Sequence, residues 1–292
     1  MTSTLSPVVV ADFACHTGEG PLWHPAEQRL YWTDIPAGRL FRYEPASGSQ
    51  EQCLSGRLVS ALTIQTDGTF LLFGMNGSIT HWDGERTIEL VNQIPTEVGT
   101  RFNDVEVDPI GRVICGTMPS PTHPGRLYRL NLDRTLDVLL DGVDISNGIG
   151  FSADQRTMYY SESNVGLIHA FDYDVGSGSL SNRRIFAQVA RQDGLPDGLI
   201  VDADDNIWSA RWDGWCIVKY SPDGAIIDRL DFPVPKVSSL TFGGPKLTDL
   251  YVTTAGGNQK EVDGPLAGAL FVVRDAGLGA ADYLSRIVLP NV

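Results

Sequence analysis

Basic residues are scarce in this chain: 22 Lys and Arg stand against 36 Asp and Glu, a formal net charge of −14 over 292 residues. A nucleic-acid partner selects a basic face, so that class of function is disfavoured. Cysteine is rarer still. The four residues Cys15, Cys53, Cys115 and Cys216 are far apart and include no C-x-x-C pair. That spacing argues against a zinc site or a disulfide framework and for reduced, packed thiols. No apolar run approaches the ~20 residues that a membrane-crossing helix needs. No basic region precedes Val8-Val9-Val10, so a secretory signal is not expected. The expected location is cytoplasmic, without a membrane partner. No G-x-S-x-G elbow occurs, which disfavours a serine-hydrolase route. Nor does any stretch sustain a 3.6-residue apolar period, so long helices are not expected.

What the chain has in quantity is short apolar runs rich in β-branched and aromatic residues, bounded by Asp, Gly and Pro. Such runs are strands and hairpins. Phe70-Leu71-Leu72-Phe73 after Thr66-Asp67-Gly68 is one instance, and Ile207-Trp208-Ser209 after Asp202-Ala203-Asp204-Asp205 is another. The pattern repeats. Glu19, Ser60, Asn103, Asn147, Asp197 and Ser238 each stand four residues before an apolar residue, at steps of 41 to 50 residues. A repeat of ~40–50 residues with several strands in each unit is the signature of a β-propeller. The predicted fold is therefore all-β: a six-bladed β-propeller with four-stranded antiparallel blades, residues 1–292 forming a single domain. Val8-Val9-Val10 is the natural candidate to close the ring by joining the last blade. The longest step, between Asn147 and Asp197, predicts the longest inserted loop. A β-sandwich offers no reason for the even spacing.

In a propeller the innermost strands begin at one end of a central channel, so side chains at one register converge there. The following residues Gly20, Ala61, Asp104, Gly148, Gly198 and Ser239 are small or short, which lets strand starts approach. Two carboxylates, Glu19 and Asp197, and two amides, Asn103 and Asn147, then face one another. Oxygen donors of this kind suit one divalent metal ion: calcium, magnesium, manganese, iron(II) or, less typically, zinc. The absence of His and Cys from the set argues against a closed structural zinc site. Asn147-Gly148 and Asp197-Gly198 are equally common turn pairs, so turn chemistry stays open for each alone. Two carboxylates buried together, however, need a cation.

The same residues carry a resemblance. Thr17-Gly18-Glu19-Gly20-Pro21-Leu22-Trp23, Arg101-Phe102-Asn103-Asp104, Gly116-Thr117-Met118, Ser146-Asn147-Gly148 and Pro196-Asp197-Gly198 occur in that order. Over roughly residues 15 to 275 the chain resembles the gluconolactonase/regucalcin (senescence marker protein) family of six-bladed propellers. The resemblance implies metal-dependent hydrolysis of a sugar lactone, a small-molecule partner such as glucono-, xylono- or arabinolactone; a closed propeller is by default a monomer. It implies Glu19, Asn147 and Asp197 as metal ligands and Arg101 and Asn103 as the substrate-contacting pair. We read Asp197 in addition as the catalytic general base. Asp104 matches a further family position, pointing either to the site or into blade packing. The chain departs from the pattern at Pro119-Ser120-Pro121-Thr122-His123-Pro124, where animal regucalcins carry a longer acidic lid-like segment, and at Glu162, where Asp is common. His123, Trp212 and Trp215 are further candidates to line the mouth. Three other readings share the scaffold: a hydrolase of other esters or organophosphates, a non-enzymatic calcium-binding propeller, and a protein-interaction propeller.

Overall fold

The structure, a computed structural model, describes residues 5–290. Six separate four-stranded antiparallel sheets account for nearly all of its regular structure. Helix is confined to short 3-10 turns and one turn at Lys260–Asp263. Among the described residues no helix is long and apolar enough to cross a membrane. Five blades are built from consecutive strands. The sixth takes its outermost strand, Pro7–Asp12, from the other end of the chain and pairs it antiparallel with Ala269–Val273. The expected closure by Val8-Val9-Val10 is thus observed.

The strands form where the sequence places apolar residues on both faces, because each blade is covered on both sides by its neighbours. Phe70 and Leu72 face the first blade with Tyr31 and Leu40, whereas Leu71 and Phe73 face the third with Phe102 and Val113. One such cluster fills each of the six blade-to-blade interfaces. Trp23 stacks on Tyr251 across the first and sixth blades, with ring centroids 6.0 Å apart. No single blade could bury both faces alone, so the ring is the unit of stability. The cysteines are unpaired, three of them fully buried in these interfaces or beside them.

One expectation is overturned. The 50-residue step does not hold the longest loop. Its extra residues lengthen the third and fourth strands of that blade, Leu167–Asp174 and Ser179–Gln188. Two β-bulges in their pairing absorb part of the length. The longest connection instead lies in the last blade, at residues 255–268 between Asp249–Thr254 and Ala269–Val273. A strand extension and a loop insertion lengthen a repeat equally, so spacing alone cannot separate them.

The six innermost strands, Gly18–His24, Ala61–Ile64, Phe102–Val107, Ser146–Phe151, Leu195–Val201 and Val237–Gly243, contact one another around the axis. Five of them break register at their start: between Glu19 and Leu22, Phe102 and Val105, Asn147 and Ile149, Pro196 and Leu199, and Val237 and Ser239. A bulge re-aims the side chain it carries, and these bulges fall on the repeated oxygen-bearing residues. Asn147-Gly148 and Asp197-Gly198 are therefore bulge pairs inside strands, not hairpin turns. Their glycines are required by contact. A Cβ on Gly148 would lie 2.4 Å from Leu199 N and 2.6 Å from Asp197 O, and one on Gly198 would lie 2.7 Å from Ser239 Cα. Because backbone blocks the space, Gly148→Ala is expected to cost about 1–3 kcal/mol as an overpacking change. Thermal denaturation checks this: an unchanged Tm would contradict the close approach.

Beyond the last strand the chain crosses the opposite end of the channel. Gly279 N donates to Leu247 O, Ala203 N to Leu278 O, Ser285 N to Ile64 O and Arg286 N to Gly111 O, all at 2.8 to 2.9 Å. These bonds tie the tail to the sixth, fifth, second and third blades in turn. Glu106 and Asp282 line a cavity of about 110 Å³ beneath it.

Candidate active site

At the end of the channel where the bulges lie, a cavity of about 210 Å³ opens to solvent. Glu19 reaches it from the first blade, Arg101 and Asn103 from the third, Asn147 from the fourth and Asp197 from the fifth. All five candidate site residues are thus brought together. Of the six residues sharing the register, four converge and two do not. Ser238 is spent on the wall, its Oγ donating to Gly18 O at 2.6 Å. Ser60 is buried and makes no side-chain hydrogen bond among the described residues. Serine is too short to span the distance that Glu, Asn and Asp cover, so the sixfold register does not become a sixfold site.

The amides and the guanidinium form a chain. Arg101 Nη1 donates to Asn103 Oδ1 at 2.6 Å and to Phe102 O at 2.9 Å. Asn103 Nδ2 donates to Asn147 Oδ1 at 2.6 Å and to Ser146 O at 2.8 Å. Asn147 Nδ2 donates to Ser163 Oγ at 2.6 Å, and Ser163 in turn donates to Pro196 O at 2.6 Å. This run joins the third, fourth and fifth blades and ends on the residue before Asp197. It fixes which way each amide points, and Arg101 keeps Nε and Nη2 free of protein acceptors among the described residues.

The carboxylates are not neutralised in the same way. Glu19 and Asp197 are 5% and 4% exposed, yet neither forms an ion pair among the described residues. Asp197 receives no hydrogen bond among the described residues, and Glu19 receives only the Gly20 N–H, at 3.2 Å. Burial pushes the Glu19 carboxyl well above the usual range, and the charges of Asp197 and Asp104 push it further. Asp197 is raised by burial and then by Asp104, against the pull of Arg101 and Arg211. Asp104 faces the inner channel, where it helps line the cavity toward the tail, and burial pushes it up to about 7. It belongs to neither the mouth cavity nor the blade packing. Burial depresses the Arg101 guanidinium in turn.

The donor set fits a divalent cation. It offers two buried carboxylates without counter-ions and two oriented amides, all hard oxygen donors. None of the residues lining the cavity is His or Cys, so a soft-metal site is not indicated; because no three His, Cys, Asp or Glu side chains come together among the described residues, the amide oxygens would have to complete the set. Two supporting residues carried no signal in the sequence. Ser163 orients Asn147. Arg211 is 1% exposed and has no carboxylate partner among the described residues; it donates to Ala210 O at 3.0 Å and to Tyr220 Oη at 2.6 Å, beside the strand of Asp197. Serine and arginine are ordinary at such positions, and only their three-dimensional neighbours single them out.

The remaining candidates separate. Trp212 and Met118 line the cavity, whereas His123 and Trp215 do not. His123 Nδ1 bonds the carbonyl of Pro124 at 2.9 Å in its own loop, and Trp215 is exposed. Glu162 is occupied elsewhere in its blade. It accepts from Arg183 Nη2 at 2.9 Å and from Asp144 N at 3.0 Å, and its Oε2 lies 3.1 Å from His169 Nε2.

The ring and its mouth define a propeller with a small polar pocket at one end, lined by buried acids and amides. The chain belongs to the SMP-30/Gluconolactonase/LRE-like family, whose profile matches residues 17–256. It is 43% identical over 290 residues to the pentonolactonase XacC of Haloferax volcanii, covering 96% of this chain and 98% of that one. It is 32% identical over 276 residues to the regucalcin of Sus scrofa, covering 90% and 92%. The solved structure of a calcium-binding protein, regucalcin, from Agrobacterium tumefaciens superposes with a TM-score of 0.88 at 25% identity, covering 97% of this chain and 98% of that one.

Proposed function

We propose that the protein is a sugar lactonase that hydrolyses an aldonolactone to the aldonic acid with the help of one divalent metal ion. The observation that carries this reading is the meeting of two unpaired buried carboxylates with an oriented amide pair and a partly free guanidinium in one cavity. A relative of near-equal length that is a pentonolactonase supports the substrate class. Glu19, Asn147 and Asp197 hold the cation. When bound, it supplies charge compensation for the acids and polarises the lactone carbonyl.

The chain's own residues do the rest. Arg101, through its free Nε and Nη2, and Asn103 hold the hydroxyls or the carbonyl oxygen, which fixes the reacting atoms relative to the acids. Asp197 stays ionised only against the cost of burial, which makes its carboxylate a willing proton acceptor. It takes a proton from the attacking water as the C–O bond forms, acting as general base. Breaking the ring C–O bond leaves an alkoxide oxygen, which regains that proton as the ring opens to the hydroxy acid.

The first test is a pH-stat assay on xylono-, arabino- and gluconolactone. Hydrolysis well above the spontaneous rate is expected for at least one of them. A rate equal to the spontaneous one for all three would leave the second reading, a cation-binding propeller without turnover, which the name of the Agrobacterium tumefaciens structure favours. Hydrolysis confined to other esters or organophosphates would point to a different substrate on the same machinery.

A further inference from the structure

Of the six tryptophans, four are consumed by the core. Trp23 and Trp32 lie in the interface of the sixth and first blades, Trp82 in that of the first and second, and Trp208 in that of the fifth and sixth. Trp208 also donates its indole N–H to Asp202 at 2.8 Å. Trp215 sits in the turn after Trp212 at a φ of 63° and is largely exposed. Trp212 is different from all five. It is half-buried, joins no core cluster and stacks on no other ring, and its indole N–H meets no acceptor among the described residues. Among the described residues it is the one aromatic side chain lining the mouth cavity.

Its backbone is closely packed and paired. Trp212 ends the strand Ile207–Trp212 and is paired with Leu195, two residues before Asp197. The carbonyl of Trp212 would lie 2.7 Å from a Cβ on Gly194, so that residue leaves room for the strand end to close up. The next three residues turn tightly, with positive φ at both Asp213 and Trp215. The point from which this large ring projects is thus set by the fifth blade, opposite Leu195. Arg101 and Met118 stand on the third blade, with Asn147 on the fourth between them. A ligand seated over Asn147 meets a charged fork on one flank and an indole on the other.

A hydroxylated lactone ring has both surfaces to offer. Its hydroxyls project as hydrogen-bonding edges, and its C–H bonds, polarised by the adjacent oxygens, form an apolar face. The indole's electron-rich face attracts such C–H groups, and its free N–H can donate to a hydroxyl. We propose that Trp212 is the platform on which the C–H face of the substrate rests, and that it selects polyhydroxylated rings over plain lactones. This rests on the lactonase reading for the substrate class, but not for the binding itself.

The test uses Trp212→Leu, which keeps an apolar side chain and removes the aromatic face, and Trp212→Phe, which keeps a face. For xylono-1,4-lactone the Leu variant is expected to lose about tenfold in kcat/KM, carried by KM, as for uniform binding energy removed. The Phe variant is expected to recover most of that loss. For γ-butyrolactone, which lacks ring hydroxyls, the Leu variant is expected to change kcat/KM by less than about twofold, because its ring has fewer polarised C–H bonds to rest on the indole and no hydroxyl for the indole N–H. Binding of 1,4-anhydroxylitol, which keeps the ring hydroxyls and lacks the carbonyl, should weaken about tenfold in the Leu variant, a change of 1.4 kcal/mol. Equal binding of this probe to the wild-type protein and the Leu variant would overturn the platform whatever the turnover. Tighter binding by the wild type without hydrolysis of any lactone would uphold the platform and remove the lactonase reading.

Discussion

Asp197→Asn is expected to lower kcat for lactone hydrolysis by about 10²–10⁴-fold, the range set by loss of a general base. The replacement is isosteric and keeps one oxygen toward the cavity, so the strand start and the amide chain through Ser163 and Pro196 have no reason to move. What disappears is the proton acceptor and one of two uncompensated charges. Asp197 is also a proposed cation ligand, so the assay is run at saturating metal, where the remaining effect falls on the step and KM should shift far less than kcat. The same substitution should have an opposite effect on stability. Asp197 is 4% exposed and lies in the field of Glu19 and Asp104; removing its charge relieves a cost of burial and repulsion. Chelated Asp197→Asn protein should therefore melt above chelated wild-type protein while turning over far more slowly, a trade of the kind seen where a site is held against its own stability. A variant that binds metal normally and keeps full activity would end the assignment of Asp197 as base.

Removal of the metal is the second large effect. Chelation is expected to lower the hydrolysis rate to near the spontaneous one, with recovery on adding back a divalent ion, and the ion that restores most activity identifies the preferred one. Stability should follow. A cation present at about a thousand times its Kd stabilises by ~4 kcal/mol. At about 2–4 °C per kcal/mol for a chain of this size or a little smaller, Tm should fall by about 10 °C on chelation. The fall should depend on pH, with a definite sign. Glu19 and Asp197 have folded pKa values above their unfolded ones, and Asp104 is raised to about 7. The metal-free folded protein therefore binds more protons than the unfolded chain from about pH 4 upward, through the raised folded values. Its stability must decline as pH rises across that window. A bound cation takes the place of the protons on Glu19 and Asp197 and flattens the slope, leaving the part due to Asp104. Tm measured from about pH 5 to about pH 8, with chelator and with saturating metal, checks both halves. A chelated protein that gains stability with rising pH would contradict the uncompensated acids.

The inner strands were legible because each blade repeats them with apolar residues on both faces, as in Phe70–Phe73 and Val113–Thr117, where every residue is buried. The outer strands were harder. Ser49–Ser55 and Ser179–Gln188 are mostly exposed and polar, so alternation gives no signal, and they form only because a blade edge is available to pair with. The converging residues Glu19, Asn103, Asn147 and Asp197 were visible as a register. The bulges that aim them were visible only as glycines that also read as turns. Ser163 and Arg211 left no trace in the sequence, since their importance comes from neighbours more than thirty residues away or from burial without a partner. The two serines of the register failed for the converse reason: the position was right and the side chain too short.

The way the ring is closed has a consequence for how it comes into being. Pro7–Asp12 precedes every other strand of the ring in the sequence, yet its partner Ala269–Val273 follows them all. Five blades can assemble in order from local hairpins, but the final sheet waits for a contact spanning nearly the whole chain. Until then the outer edge of Ala269–Val273 carries unpaired backbone groups that any passing strand could satisfy. Ring closure at this one seam, where the first and last strands of the ring meet, is therefore expected to be the slow step of folding, which refolding rates with and without residues 7–12 would check.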